Sequence, residues 1–390
     1  MSSLLSPRPL VSPEPAPAPA PIPVRVRNSA ELPAGFRSTT PGSTAKPTST
    51  YNLLLGTVRD AGLLRRRTGF YIAVFAVITA CLAAAVTGSA LLGDSWFQLL
   101  IAAGLGVIFT QYAFLAHETA HRQVFESGPR SERFGRVLAS AVVGMSYAWW
   151  MSKHTRHHGN PNTIGKDPDI APGPVSFTEQ DAANKTGFLS WFARRQGYAF
   201  FPILLLEGLN LHYTSYKTVF GRGKVDKRSS EITMITIRFA IYLGVIFWFL
   251  PFGMAWAFIG VQFAVFGLYM GASFAPNHKG MPIIPEGSRV DFLSKQVLTS
   301  RNVTGGPVMN MAMGGLNYQV EHHLFPNMAR PNLRHARLLV REHCAAEQIP
   351  YVETNIIDSW RIIVRYLNRV GLAAGGDPFD CPAAATYRPR

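Results

Sequence analysis

Long uninterrupted apolar runs dominate the middle of the chain. Four of them, Phe70–Leu92, Phe97–Ala116, Ile232–Leu250 and Met254–Ala275, reach the roughly 20 helical residues needed to cross a hydrocarbon layer of ~30 Å. They come in two pairs. The polar turn GDSW separates the first two and Pro251-Phe252-Gly253 the second two, so each pair predicts a tight helical hairpin. Two shorter runs, Val137–Met151 and Tyr198–Leu211, fall below spanning length, and the second carries Glu207; both read as interfacial segments. Arg238 lies near enough to the start of the third span to snorkel. Residues 1–50 have no such pattern. Their Pro, Ala, Ser and Thr, with APAPAPIP at 16–23, cannot bury a core and predict a disordered arm. The domain is expected over 51–372, followed by a flexible tail over 373–390.

Charge orients the spans. The connectors within each pair contain no Lys or Arg, whereas the segment from Arg122 to Glu231 carries Arg130, Arg133, Arg136, Lys153, Arg194, Arg195, Lys224, Lys227 and Arg228. By the positive-inside rule that segment is cytoplasmic. Only 16% of the 390 residues are charged and 47% are hydrophobic, with 38 Lys plus Arg against 23 Asp plus Glu. Beside four spans, the excess of +15 reads as membrane topology and contact with anionic lipid rather than nucleic-acid binding. Cys81, Cys344 and Cys381 lie far apart, which excludes a disulfide framework and a CxxC metal site.

Seven of the eleven histidines fall into three groups: HETAH at 117–121, HTRHH at 154–158 and QVEHH at 319–323. Helical residues three and four apart share a face, so His117 and His121 form a two-tooth ligand set, and His154, His157 and His158 a three-tooth set. Gln319, His322 and His323 repeat that spacing with an amide in first place. All three groups are expected at the cytoplasmic face. Imidazole binds zinc, copper, iron and nickel alike, but a zinc site is filled by three or four protein ligands, so this many donors suit two metals. Two metals with labile positions can bind O2 and attack an unactivated C–H bond. A rival reading takes HETAH as HExxH, a zinc protease motif, and leaves the other two groups unexplained. A haem carrier needs only one or two axial ligands.

The three boxes, their order and their placement around two hairpins resemble the membrane fatty acid desaturase family over roughly residues 60–370. The QxxHH third box is similar to that of front-end and related acyl-CoA or acyl-lipid desaturases, including bacterial ones, which would place the chain in a bacterial plasma membrane. The resemblance implies an all-α integral membrane fold with a cytoplasmic helical cap around a di-iron site. It makes His117, His121, His154, His157, His158, His322 and His323 iron ligands, adds His278 in PNHKG just beyond the fourth span, and leaves Gln319 as a donor that binds weakly or through water. Asn162, Asp167 and Asp169 in NTIGKDPD resemble the family's continuation of the second box, where carboxylates can accept the distal N–H of ligating histidines. Glu118, Glu321 and Asn277 are further candidates for that supporting role.

The activity so implied is insertion of a cis double bond into a fatty acyl chain, on coenzyme A or a lipid; a hydroxylase with the same irons is the nearest alternative. Reducing O2 to two waters takes four electrons and alkene formation supplies two. With no dinucleotide fingerprint, cysteine cluster or HPGG haem motif present, the other two are expected from a separate protein such as a ferredoxin or a reductase, steered by the basic cytoplasmic face.

Overall fold

The computed structural model describes residues 49–375. The expected arm, apart from its last two residues, and the tail from 376 onward lie outside them. The described chain is mostly helical. In order it forms α1 (Ser49–Asp60), α2 (Thr68–Leu92), α3 (Gln98–Ala120), α4 (Gly128–Arg136), a π-helical turn (Val137–Val143), α5 (Tyr147–Gly159), α6 (Glu179–Ala183), α7 (Gly187–Ala193), α8 (Gln196–Val219), α9 (Arg228–Phe249), α10 (Phe252–His278), α11 (Phe292–Leu298), α12 (Gly306–Ala312), α13 (Gln319–Leu324), α14 (Arg330–Ala346) and α15 (Ile356–Leu372). One feature departs from an all-α fold. Strands β1 (Asn302–Thr304) and β2 (Glu353–Asn355) pair in parallel and clip the chain before the third box to the chain before α15.

Four helices, α2, α3, α9 and α10, are long and apolar enough to cross a membrane. They contain the four apolar runs of the sequence except Phe97 and Leu250, which flank α3 and α9. Where α2 meets α3, the fully buried Gln98 donates to the carbonyls of Ser89 and Gly93, each at 2.8 Å, and so satisfies backbone groups that the turn leaves free. The Thr79 and Tyr112 hydroxyls join the same two helices at 2.8 Å. Helix α8 lies against α10 at near-backbone distance, which glycine permits: a Cβ on Gly267 would stand 2.3 Å from the nitrogen of Gly208.

The two short runs come out differently from their apolar pattern. Val137–Met151 is divided, because Gly144 takes φ 94° and Ser146 caps a new helix by accepting the Trp149 N–H at 3.0 Å. Tyr198–Leu211 is only part of α8, whose polar second half follows the apolar one without a break. Arg238 does not simply snorkel; its Nε donates to the Val142 carbonyl at 2.8 Å, and its guanidinium lies over Phe109 and Tyr242. Behind the four long helices, α1, α11, α13 and α14 enclose a separate apolar core of Leu54, Leu293, Val297, Val320, Leu324 and Val340, which seats the third box.

Candidate metal centre

Each histidine is delivered by a helix end. His117 lies in the last turn of α3 and His121 closes it; His154, His157 and His158 occupy the last turns of α5; His278 ends α10; His322 and His323 lie on the six-residue α13. The ring nitrogens converge into two groups. His117, His121, His154, His158 and His322 form one, and His157, His278 and His323 the other, with ligand atoms in each group within 4.8 Å of one another. The second box is therefore not a single three-tooth set. Adjacent residues on a helix point ~100° apart. His157 and His158 thus serve different groups, and so do His322 and His323. The HH dipeptides place the two groups side by side.

The spacing suits a metal. Within the first group, Nε2 of His154 stands 3.1 Å from Nε2 of His117 and 2.7 Å from Nε2 of His121; in the second, Nε2 of His157 stands 3.3 Å from Nε2 of His278. Neighbouring ligands at metal–nitrogen bonds of ~2.1 Å come about 3 Å apart. Nδ1 of His117 and Nε2 of His158, His322 and His323 are buried without any hydrogen-bond partner, a costly arrangement for polar atoms with nothing between them. Burial, then repulsion between imidazoles, holds His154, His158, His322 and His323 well below the usual histidine range, and burial brings His121 down to about 4. Neutral rings keep a lone pair free for a cation. The donor set fits a pair of metal ions.

In the second group the outward-facing ring nitrogens are held in place. Nδ1 of His157 meets both oxygens of Asp167 at 3.1 Å and Asp169 at 3.4 Å; Nδ1 of His278 donates to the Thr299 carbonyl at 2.9 Å, and Nδ1 of His323 to Oε1 of Gln296 at 2.8 Å. These contacts aim Nε2 inward. Burial depresses His157, but Asp169 and then Asp167 outweigh it, so its imidazole is raised. Asn162 supports this arrangement, since its N–H donates to Asp167 at 2.7 Å and its amide to the His278 carbonyl at 3.0 Å.

Other candidates stand differently. Gln319 lies beside the second group with its amide nitrogen 2.9 Å from Nε2 of His278, while its carbonyl accepts from Asn277 at 3.1 Å. An amide nitrogen offers no free lone pair, so in this orientation Gln319 faces the imidazole as a hydrogen-bond donor. Neither box glutamate is solvated, and neither touches an imidazole. Glu118 is bound by both arms of the Arg330 guanidinium, and Glu321 accepts from Tyr351 at 2.6 Å and Asn302 at 2.8 Å, with burial pushing its carboxyl up to about 7. They brace the boxes against α14 and β1.

Sequence reading missed several neighbours. Trp150 stacks on His154 with ring centres 4.3 Å apart; its position four residues before that histidine was the available signal. Gln296, Thr299 and Arg330 come from elements far along the chain, with no local signal. Of the basic residues, Arg194 and Arg195 precede α8 and Lys224, Lys227 and Arg228 follow it, at opposite ends of a helix ~36 Å long.

The family model for Fatty acid desaturase matches residues 94–355, which contain every residue of both groups. A Delta(8)-fatty-acid desaturase of Helianthus annuus is 26% identical over 343 residues, covering 83% of this chain and 73% of that protein. A Delta(8)-fatty-acid desaturase of Arabidopsis thaliana is 26% identical, covering 77% and 70%, and an Acyl-lipid (9-3)-desaturase of Physcomitrium patens is 28% identical, covering 78% and 58%. Four membrane-length helices, clustered histidines and a match over most of the chain agree: this protein belongs to the fatty acid desaturase family and is an oxidoreductase.

Proposed function

We propose that this chain inserts a cis double bond into a fatty acyl chain, carried on coenzyme A or a lipid, using O2 and two external electrons at a pair of irons. The observation that carries this is the convergence of eight imidazoles, five buried and three half-buried, into two adjacent groups. His117, His121, His154, His158 and His322 would hold one iron, and His157, His278 and His323 the other, with Gln319 as a weaker neighbour once its amide turns. Bound iron supplies the O2 activation and oxidising power that no side chain has. The protein's part is to hold the imidazoles of the first group neutral, aim those of the second through Asp167, Asp169, Gln296 and Thr299, and keep water from the reacting carbon. Two electrons come from a separate donor protein. In this reading α2 with α3 and α9 with α10 are hairpins, and the histidines lie in a helical cap at the cytoplasmic face.

The HExxH alternative meets a specific obstacle. Glu118, which would have to activate water, is locked in a buried pair with Arg330. Metal analysis of the purified full-length chain tests the proposal: two irons per chain are expected. One zinc per chain, or a Soret band from bound haem, would overturn it.

A further inference from the structure

Between β1 and the third box the chain makes an excursion that the metal centre does not use. From Asn302 to Val320 it carries no Lys, Arg, Asp or Glu. Helix α12 lies in the middle of this stretch and has no buried residue; its Val308 and Met311 are 73% and 65% exposed. An uncharged segment that turns its large apolar side chains outward is poorly suited to water. Gly305 and Gly306 precede the helix and Gly314 and Gly315 follow it, all with positive φ, so the chain enters and leaves α12 through turns that other residues would resist.

Two contacts at the last turn of α12 fix its level. A helix end leaves carbonyls without partners. Here the amide of Gln111 on α3 donates to the Met311 carbonyl at 3.4 Å, and the Tyr269 hydroxyl on α10 donates to the Ala312 carbonyl at 2.6 Å while accepting from Gln111 at 2.7 Å. Both donors belong to membrane-length helices. Gln111 stands six residues before His117 and Tyr269 nine before His278, so the end of α12 lies ~9–13 Å from the metal centre, measured down those helices. Helix α2 gives the same depth. Its Thr68 end adjoins the box-bearing end of α3, with the hydroxyl donating to the Val124 carbonyl at 3.1 Å, whereas Tyr112, next to Gln111, meets Thr79, eleven residues or ~16 Å further along. Between those two levels α2 exposes Ile72, Phe75 and Val77. An outward apolar band therefore begins nearer the boxes than α12 does. Capping of carbonyls by side chains is what that depth demands, because hydrocarbon offers them no water.

We propose that α12 is a re-entrant segment lying within the bilayer beside α3 and α10, with Val308 and Met311 against lipid acyl chains. The third box then rises directly from the bilayer. Gln319 stands four residues beyond Gly315, and Gly314 approaches α3 so closely that a Cβ there would stand 2.5 Å from Cγ of Phe114. This inference rests on the four membrane-length helices and goes beyond the iron chemistry proposed above, so either can fail without the other.

The test is the collision accessibility of a nitroxide on the full-length chain reconstituted in phosphatidylcholine vesicles. The label is placed at Val308→Cys and, separately, at Met311→Cys, in a chain with Cys81→Ala and Cys381→Ala; Cys344 is buried and stays, and the same chain without a new cysteine measures residual labelling. Leu338→Cys on α14, exposed among Arg334, Arg341 and Glu342, is the control in water. All three labelled positions are exposed, so folding is spared. At positions 308 and 311, O2, which concentrates in hydrocarbon, is expected to relax the label several-fold more effectively than a water-soluble nickel chelate does, with the order reversed at 338. Chelate access at 308 and 311 equal to that at 338 would place α12 in water and overturn the proposal. Shielding from both reagents would overturn it as well, by showing protein rather than lipid over α12.

Discussion

His157 and His158 are neighbours in the chain yet serve different groups, so each box histidine should matter for its own metal. His157→Ala or His322→Ala is expected to lose iron and all measurable product while still inserting in membranes; full activity in either would remove that residue from the donor set. Gln319→Ala should retain more activity and more iron than His322→Ala, because the amide nitrogen now faces His278 as a hydrogen-bond donor. Equal loss in the two variants would make Gln319 a full donor. Glu118 and Arg330 pose a different question, since they form a buried ion pair beside His117. Removing one partner strands the other, so Arg330→Met should cost about 3–5 kcal/mol, read as a large drop in melting temperature. An unchanged melting temperature would show that the pair contributes nothing to holding the first box.

Among the elements, the end of α10 shows how a metal donor is fixed by a chain terminus. Pro276 removes the N–H that would bond the Ala272 carbonyl, and the Trp360 indole donates to that carbonyl instead at 3.2 Å. Arg301, fully buried, donates to the carbonyls of Pro276 and Lys279, and its own N–H donates to that of Asn277 at 2.8 Å. A cation at a helix C-terminus is favourable, and here it stands around His278. Arg301→Met should therefore loosen only the group of His157, His278 and His323, lowering iron from about two per chain to about one. Two irons with native activity in that variant would refute the assignment. The long helices were legible because mostly apolar runs of spanning length fill them; the extent of α8 was not, because HYTSYKT after Leu211 reads as polar loop while its helical periodicity continues. The break at Gly144–Ser146 was equally hidden inside an apolar run, where only the glycine and the serine cap mark it.

Across the whole molecule, the boxes could be read from spacing, but their division into five and three donors could not. Spacing says which histidines share a helix face; it says nothing of which other helix that face meets. The contacts that settle it come from Thr299 and Gln296 on and beside α11 and from the seating of α13 in its own apolar core. The carboxylates divide in the same way, with Asp167 and Asp169 reaching an imidazole from a nearby loop and Glu118 and Glu321 turned to distant elements. On the proposed function, these two donor groups serve to remove two hydrogens from a fatty acyl chain. The most direct test is mass spectrometry of the acyl chains of cells expressing the native protein, beside cells expressing His322→Ala. Acyl chains lighter by two hydrogens, with a cis double bond at one position, are expected in the first cells and none in the second. Chains heavier by one oxygen, or an acyl profile identical in the two, would contradict it.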